Sequence, residues 1–461
     1  MLKNNNNRHN LIEGSIQQSL VRMTLPMIIA MIMLFTFSLV DTLFISLLGT
    51  ESLTAISFTF PVTFTIMSLA IGLGIGASAV VARCVGGSQF ERAKEAATVI
   101  NYISFILASL VAFLLWSFME DIFSLMGASE QLMVEIRKYM LVWFPGSVLI
   151  VCIMTGNSVL RACGDTKTPS ILMAAAGLIN ALLDPLLIFG FGPFPELGIA
   201  GAAWATVIAW AIGFAYLSYL LLVKLELVSR SVPSRAVMQS SGRDMLRIGI
   251  PAAGANMMTP LAMGIMTAIA ASFGDRAVAA FGVGARIEPI ATLIVLAMSS
   301  SLPPLISQNY GADRMDRVEQ AYRLATRFIV SWQLGVYLVL ALAAGAIATV
   351  FSDDPEVINT IKLFIWIMPL GYGLQGIIIL TNSSLNALHR PLAALYLSMA
   401  RFFLFYVPLA WLGSEYFGLA GFFAGAVAGN FLMAVISWRK FNSTLIELSP
   451  EPSPEPTDSH P

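Results

Sequence analysis

Long apolar runs separated by short polar connections repeat from residue 22 to residue 438. They cover residues 22–47, 54–81, 96–118, 134–158, 168–192, 197–223, 246–272, 280–305, 322–350, 356–384, 392–412 and 418–438. About 20 helical residues cross the ~30 Å hydrocarbon core of a bilayer, and each run is long enough. Inside lipid a segment must satisfy its own backbone N–H and C=O groups, so each run is predicted to be a helix. The fold class expected is an all-α polytopic membrane protein with twelve transmembrane helices.

Composition agrees with that reading. Hydrophobic residues make up 57% of the 461 and charged residues 11%, with a mean hydropathy of +0.78. A water-soluble domain carries about 25% charged residues. The net charge of −1 gives no basic excess for nucleic acid. Residues 1–18 are polar and lack the apolar core of a cleavable signal, and the run from Ser449 to Pro456 alternates proline with polar residues.

The connections divide by charge. Arg83, Arg92, Lys94, Arg161, Lys167, Lys224, Arg230, Arg235, Arg243, Arg314, Arg317, Arg439 and Lys440 fall on one side of the pattern. Glu51, Glu120, Asp121, Glu130, Glu196, Asp353, Asp354, Glu356 and Glu415 fall on the other, with Arg276 their main basic exception. Basic connections stay in the cytoplasm, which predicts both termini inside and an even number of spans.

An internal repeat is the most informative feature. A shift of 225 residues superimposes Leu25-Pro26 on Ile250-Pro251, Gly49 on Gly274, Gly86 on Gly311 and Asn157-Ser158 on Asn382-Ser383. At a shift of 220, Gly198-Ile199-Ala200-Gly201 matches Gly418-Leu419-Ala420-Gly421. Six helices have been duplicated in the same orientation, and such repeats place a binding site between the halves near the midplane. The expected divisions are an N-terminal segment (1–21), a first lobe (22–223), a basic linker (224–245), a second lobe (246–440) and a disordered tail (441–461).

Ionisable residues inside spans cost at least ~2.5 kcal/mol each and need a reason. Asp41 lies late in span 1 and Asp184 deep in span 5, with Asn180 one helical turn before it on the same face. Thr206 in span 6 and Asn157 in span 4 add neutral polar atoms. Low dielectric and like charge both disfavour ionising such a carboxylate pair, which suits it to trading a proton. The same acids with Asn180 could instead hold a sodium ion, or a protonated acid could simply tie helices together. The 225-residue shift puts Met266 opposite Asp41, and the match of Pro185 with Pro408 puts Val407 opposite Asp184, so the second half lacks both acids.

Pro26 early in span 1 is a candidate hinge, although proline is equally at home at a helix start. Phe60, Met173 and Trp204 are substrate-pocket candidates because their helices lie in the lobe with the acids. Arg286, Glu288 and Arg401 are further charges at membrane depth that pair, line a cavity or snorkel. The Gly72-Leu73-Gly74-Ile75-Gly76 run sits in an apolar span and predicts close helix packing rather than a phosphate loop. Cys84, Cys152 and Cys163 have no metal-site spacing, and His9, His389 and His460 lie outside the spans. No metal site and no cofactor are therefore expected.

Leu25-Pro26, Val40-Asp41-Thr42, the stretch from Gly156 through Asn157 and Arg161 to Pro169, Asn180 to Pro185, and Gly198 to Ala203 together resemble the multidrug and toxic compound extrusion (MATE) transporters, most closely their DinF branch. The resemblance runs from about Gly14 to Lys440. It implies two pseudo-symmetric six-helix lobes in a V shape, a bacterial inner membrane and a monomer that is not an enzyme. The expected partners are small-molecule drugs or metabolites and the bilayer. It also implies export of amphipathic or cationic compounds, with Asp41, Asn180, Asp184, Thr206 and Asn157 coupling cation to drug. The NorM branch carries acids in spans 7 and 10, whereas residues 250–272 and 364–380 hold none here, so the coupling ion expected is H+, with Na+ the alternative. The competing readings are a lipid or lipid-linked sugar flippase and, from another class, an intramembrane enzyme or receptor.

The topology is directly testable. A cysteine placed at Glu196 or Asp354 should react with an impermeant maleimide added outside intact cells; reaction only after the cells are opened would overturn the orientation.

Overall fold

The computed structural model describes residues 11–229, 231 and 233–448. Arg230, the polar N-terminal residues including His9, and the proline-rich tail from Ser449 with His460 lie outside them. The chain is helical almost throughout. Its elements are α1 (Ile16–Ser46), α2 (Thr50–Gly86), α3 (Phe90–Ser117), the short α4 (Met119–Leu125), α5 (Glu130–Ala162), α6 (Lys167–Ile188) and α7 (Ile199–Tyr219), which runs into a π-helical turn at Leu220–Lys224. The second half comprises α8 (Arg235–Ala271), α9 (Asp275–Ala291), α10 (Leu293–Gly311), α11 (Met315–Phe351), α12 (Pro355–Ile367), a 3-10 turn at Met368–Gly371 and α13 (Tyr372–Ala387). It ends with α14 (Pro391–Ala400), a π-helical turn at Arg401–Tyr406 and α15 (Val407–Leu448).

Among the described residues ten helical stretches are long and apolar enough to cross a membrane, and the pair α9–α10, bent by 43°, makes an eleventh. One of the ten is the 58-residue stretch Pro391–Leu448, which breaks at Gly418 (φ 61°, ψ −147°) and so supplies two spans. The total is the expected twelve. Gly198, its partner in the repeat, has the same backbone conformation (φ 55°, ψ −134°) where α7 begins. Such a positive φ favours glycine, which explains why both copies kept it.

The lobes touch at the end that carries the basic connections, called here the basic end. Gly72 lies against Gly249 and Ala253, Gly76 against Met245, and Gly74 against Ser158, so the glycine run is a packing surface as expected. Gly86 abuts the Gln308 backbone while Gly311 abuts that of Arg83, and these four residues are exchanged by the 225-residue shift. The counterpart of the Gly76–Gly249 approach is a buried hydrogen bond between Thr24 and Ser301 (2.7 Å). Gln308 adds a bond from its Nε2 to the Ala162 carbonyl (2.7 Å). Towards the acidic end Leu39, Phe60, Leu261 and Ile290 are exposed, and the lobes part as a V. Arg276, the basic exception at that end, is neutralised by Asp354 and Glu356.

Three boundaries differ from expectation. The first helix starts at Ile16, and Leu11, Ile16, Leu20 and Met23 belong to the apolar core of the second lobe. There Asn309 and Arg317 donate to the Leu11 carbonyl (3.0 and 3.3 Å). Beyond Pro26, Ile45 packs in the first lobe's core and Phe37 covers Gly177 on α6. Helix α1 therefore belongs to both lobes. The linker shortens because α8 begins at Arg235, and helix α15 carries on to Leu448 rather than ending near residue 440.

His389, in the turn between α13 and α14, reaches across the seam with its Nε2 3.3 Å from the Ala79 carbonyl. Burial, helped by the Arg83 guanidinium, pushes its imidazole down to about 4; the Ala79 bond and Asp244 act the other way and Arg247 with Arg83. The unfolded chain then takes the proton first, at about 6.5, so this contribution is complete above that pH and lost as pH falls towards 4. Thermal unfolding of the wild type should weaken over that window more than that of His389→Asn. An alanine methyl at Gly86 or Gly311 would overlap the facing backbone, so Gly86→Ala should lengthen the distance between spin labels across the basic end. Gly254→Ala, which meets only the tip of Leu395 at 3.9 Å, should not.

Candidate functional site

The turn after α6 sets up the site. Leu197 and Gly198 donate backbone bonds to Leu187 and Ile188 (both 3.1 Å), and Gly201 packs on the Leu187 carbonyl. That close antiparallel pairing brings Thr206 of α7 level with Asn180 of α6. The Asn180 Nδ2 donates to Asp184 Oδ1 and to Thr206 Oγ1, each at 3.2 Å. Asp184 is 0% exposed, and Asp41 on α1 is half-buried. The two carboxylates lie near one another and near the buried phenol of Tyr139 on α5.

Four of the five expected residues therefore share one site: Asp41, Asn180, Asp184 and Thr206. Asn157 does not join them. Gly146 on α5 packs against Val207, the neighbour of Thr206, and Asn157 lies eleven residues further along, about 16 Å nearer the basic end. Tyr139 takes its place in the site. Its only signal in sequence is a hydroxyl in an apolar span, too common to single out. Phe37, one turn before Asp41, was also missed; its ring seats on Gly177, between Met173 and Asn180 along α6.

Of the pocket candidates, Met173 is half-buried on the α6 stripe that carries Gly177, Asn180 and Asp184. Trp204 is exposed and two residues from Thr206, hence about 200° round α7 and turned away from the acids. Phe60 is exposed on α2 with its ring 5.7 Å from that of Phe64. Pro26 lies ten residues inside α1, which removes the helix-start reading, and falls where α1 passes from one lobe's core to the other's.

Asp41 Oδ1, Asp184 Oδ2 and, farther off, Asn157 Oδ1 are buried without a hydrogen-bond partner among the described residues. Buried acceptors left unpaired are costly, and a proton or a small cation is what relieves a carboxylate pair. A sodium ion would draw on the two acids, Asn180 and Thr206. The Asn180 amide, however, turns its NH2 rather than its oxygen towards Asp184 and Thr206. Among the described residues no three His, Cys, Asp or Glu side chains cluster as a metal site. In the second lobe Gln375 donates to Glu288 (2.8 Å), and Arg401 is buried rather than snorkelling, donating to Asn430 (3.1 Å) and lying over Phe402 and Tyr406.

The MatE family profile matches residues 26–186 and 251–412, one block in each lobe. An FAD transporter of Shewanella oneidensis is 41% identical over 428 residues, covering 93% of this chain and 95% of that one. The multidrug export protein MepA of Staphylococcus haemolyticus is 24% identical, with 89% of each chain covered. Among solved structures, the Vibrio cholerae MATE transporter VcmN in its bent form aligns with a TM-score of 0.90 and 34% identity over 94% of this chain and 98% of that one. With the repeated halves, the two-lobed fold and these matches in agreement, the chain belongs to the MATE family of membrane transporters.

Proposed function

We propose that the protein is a secondary antiporter of the cell's inner membrane that exports small organic compounds in exchange for protons at the Asp41–Asp184 pair. The basic end faces the cytoplasm, and the V opens outward. The carrying observation is a pair of carboxylates, one buried and one half-buried, each with a buried oxygen that has no partner among the described residues, in a lobe whose duplicate has Met266 and Val407 instead.

Helix α1 links this chemistry to movement. Its base is anchored in the second lobe by Ile16, Leu20 and Met23, and its outer half carries Phe37 and Asp41 onto α6. Protonating the pair removes buried charge and gives a carboxyl O–H that can donate where only acceptors stood. The outer half of α1 then resettles on α6 about Pro26, closing the space beside Phe37 and Met173 and expelling the drug. Amphipathic or cationic compounds suit a pocket that combines these side chains with ionised acids. A second reading, that the substrate is a flavin nucleotide, is favoured by the 41% identity to the Shewanella FAD transporter.

Asp41→Asn keeps the size and polarity of the side chain but has no proton to trade. It should abolish proton-driven ethidium efflux from proteoliposomes at wild-type levels of protein, and undiminished efflux would sink the assignment. Proton and drug competing for one site must weaken each other by the same factor. Affinity for ethidium should therefore rise with pH between roughly 5.5 and 8.5 and flatten in Asp184→Asn. Affinity that ignores pH but falls as sodium is added would transfer the role to sodium.

A further inference from the structure

A cavity of about 350 Å³ lies at the basic end of the first lobe, within the size range of small-ligand sites. Its walls are the foot of α1, the turn from α5 into α6, and the chain that leaves the π-helical turn after α7. Two cations line it, Arg22 of α1 and Lys167 at the first position of α6. Both are exposed, and neither makes a hydrogen bond or ion pair among the described residues. Asp165 is the carboxylate of the lining, and it is already engaged. Its Oδ1 accepts from the Thr168 backbone (2.9 Å) and its Oδ2 from the Thr168 hydroxyl (2.6 Å), so it caps the first turn of α6. Two positive charges and the positive end of a 22-residue helix therefore meet at one space, with one spent anion among them. Leu160, Leu225 and Leu227 give the rest of the wall an apolar surface.

The contact between α1 and α6 brings the two cations to similar depth. Ser170 donates from its Oγ to Met27 Sδ at 3.6 Å. Arg22 stands five residues before Met27 and Lys167 three before Ser170, about 7.5 and 4.5 Å nearer the basic end. In the other direction each cation heads an exposed apolar stripe, Leu25 and Ile29 on α1 and Ile171, Leu178 and Leu182 on α6. The α6 stripe lies opposite Asn180 and Asp184, which face the lobe, so it meets acyl chains. Two cations at a cavity with apolar rows running inward from them are complementary to a phosphate ester that carries acyl chains, more than to free phosphate.

We propose that Arg22 and Lys167 form a binding site for the phosphate of an anionic phospholipid from the leaflet at the basic end, its acyl chains lying along α1 and α6. Basic pockets between membrane helices take such headgroups by charge. The planar donors of Arg22 match two phosphate oxygens at once, and Lys167 adds a point charge. An anion there also relieves a lysine that opposes the α6 dipole. A zwitterionic headgroup brings its own ammonium, which competes with the two side chains for the phosphate. Pro26 belongs to the same lining, and the residues before it pack in the second lobe's core. The headgroup thus joins the foot of α1 to the start of α6 in the first lobe, on the basic side of the hinge. The site is independent of the ion exchanged at Asp41 and Asp184 and of the compound exported.

Native mass spectrometry of the full chain released from detergent resolves bound lipids one at a time. Phosphatidylglycerol should bind at least about tenfold more tightly than phosphatidylethanolamine with the same acyl chains. Arg22→Gln and Lys167→Gln should each weaken phosphatidylglycerol by about tenfold and leave phosphatidylethanolamine unchanged. Arg439→Gln, at the basic end of α15 and outside the cavity, should change neither. If one cavity variant cannot be purified, the other decides. Equal affinity of the wild type for the two lipids, or a preference that neither cavity substitution lowers, overturns the site. Equal weakening by Arg439→Gln overturns it too, since the attraction is then that of any basic surface. Glycerol 1-phosphate at millimolar concentration is the soluble competitor and should leave the lipid in place; displacement by it overturns the lipid as the source of the phosphate.

Discussion

The two lobes hold together through backbone-to-backbone contact at glycine. In a bilayer no hydrophobic force drives one apolar helix onto another, so association depends on how closely the chains approach. Gly72, Gly76, Gly86, Gly249 and Gly311 let α2 come against α8 and α10 where any side chain would hold them apart. Contacts of that kind lie towards one end of the helices. The other ends are left free to diverge, and the cleft follows from where the glycines stand. The exchange of Gly86–Gln308 for Gly311–Arg83 makes the seam two-fold, so both lobes can pivot about one line.

On that symmetric frame the chemistry is asymmetric. The first lobe keeps the buried Asp184 and the half-buried Asp41 with Asn180 and Thr206, and the counterparts of the two acids in the second are Met266 and Val407. The second lobe carries Glu288 and Arg401, each hydrogen-bonded to a neutral amide, with Arg401 lying over aromatic rings. Duplication supplies two similar lobes, and divergence has left the carboxylate pair in one of them.

Helix α1 breaks the division into lobes. Residues before Pro26 complete the second lobe's core, those after it complete the first's, and Asp41 sits near the far end. A change of charge at Asp41 thus acts on a helix whose base is fixed to the opposite lobe. Small changes at a buried carboxylate can become relative movement of the halves because packed cores switch between arrangements rather than deform smoothly.

The span count, the two-fold repeat and the acids of the first lobe were legible in the sequence because each depends on the solvent or on local spacing. Apolar length against bilayer thickness sets the spans, and the i, i+4 spacing of Asn180 and Asp184 sets their common face. The neighbours of a helix were not legible, since in lipid every face of a helix reads as apolar. That is why Asn157 was grouped with the acids although it lies about 16 Å along α5 from the level of Val207, Trp204 was placed in a pocket it turns from, and Tyr139 was overlooked. The same reason hid the double allegiance of α1. Neither residues 16–23 nor residues 37–45 carry a local mark of the lobe they complete, and only the packing of one in the core with Leu302 and Ile306 and of the other against α6 decides it.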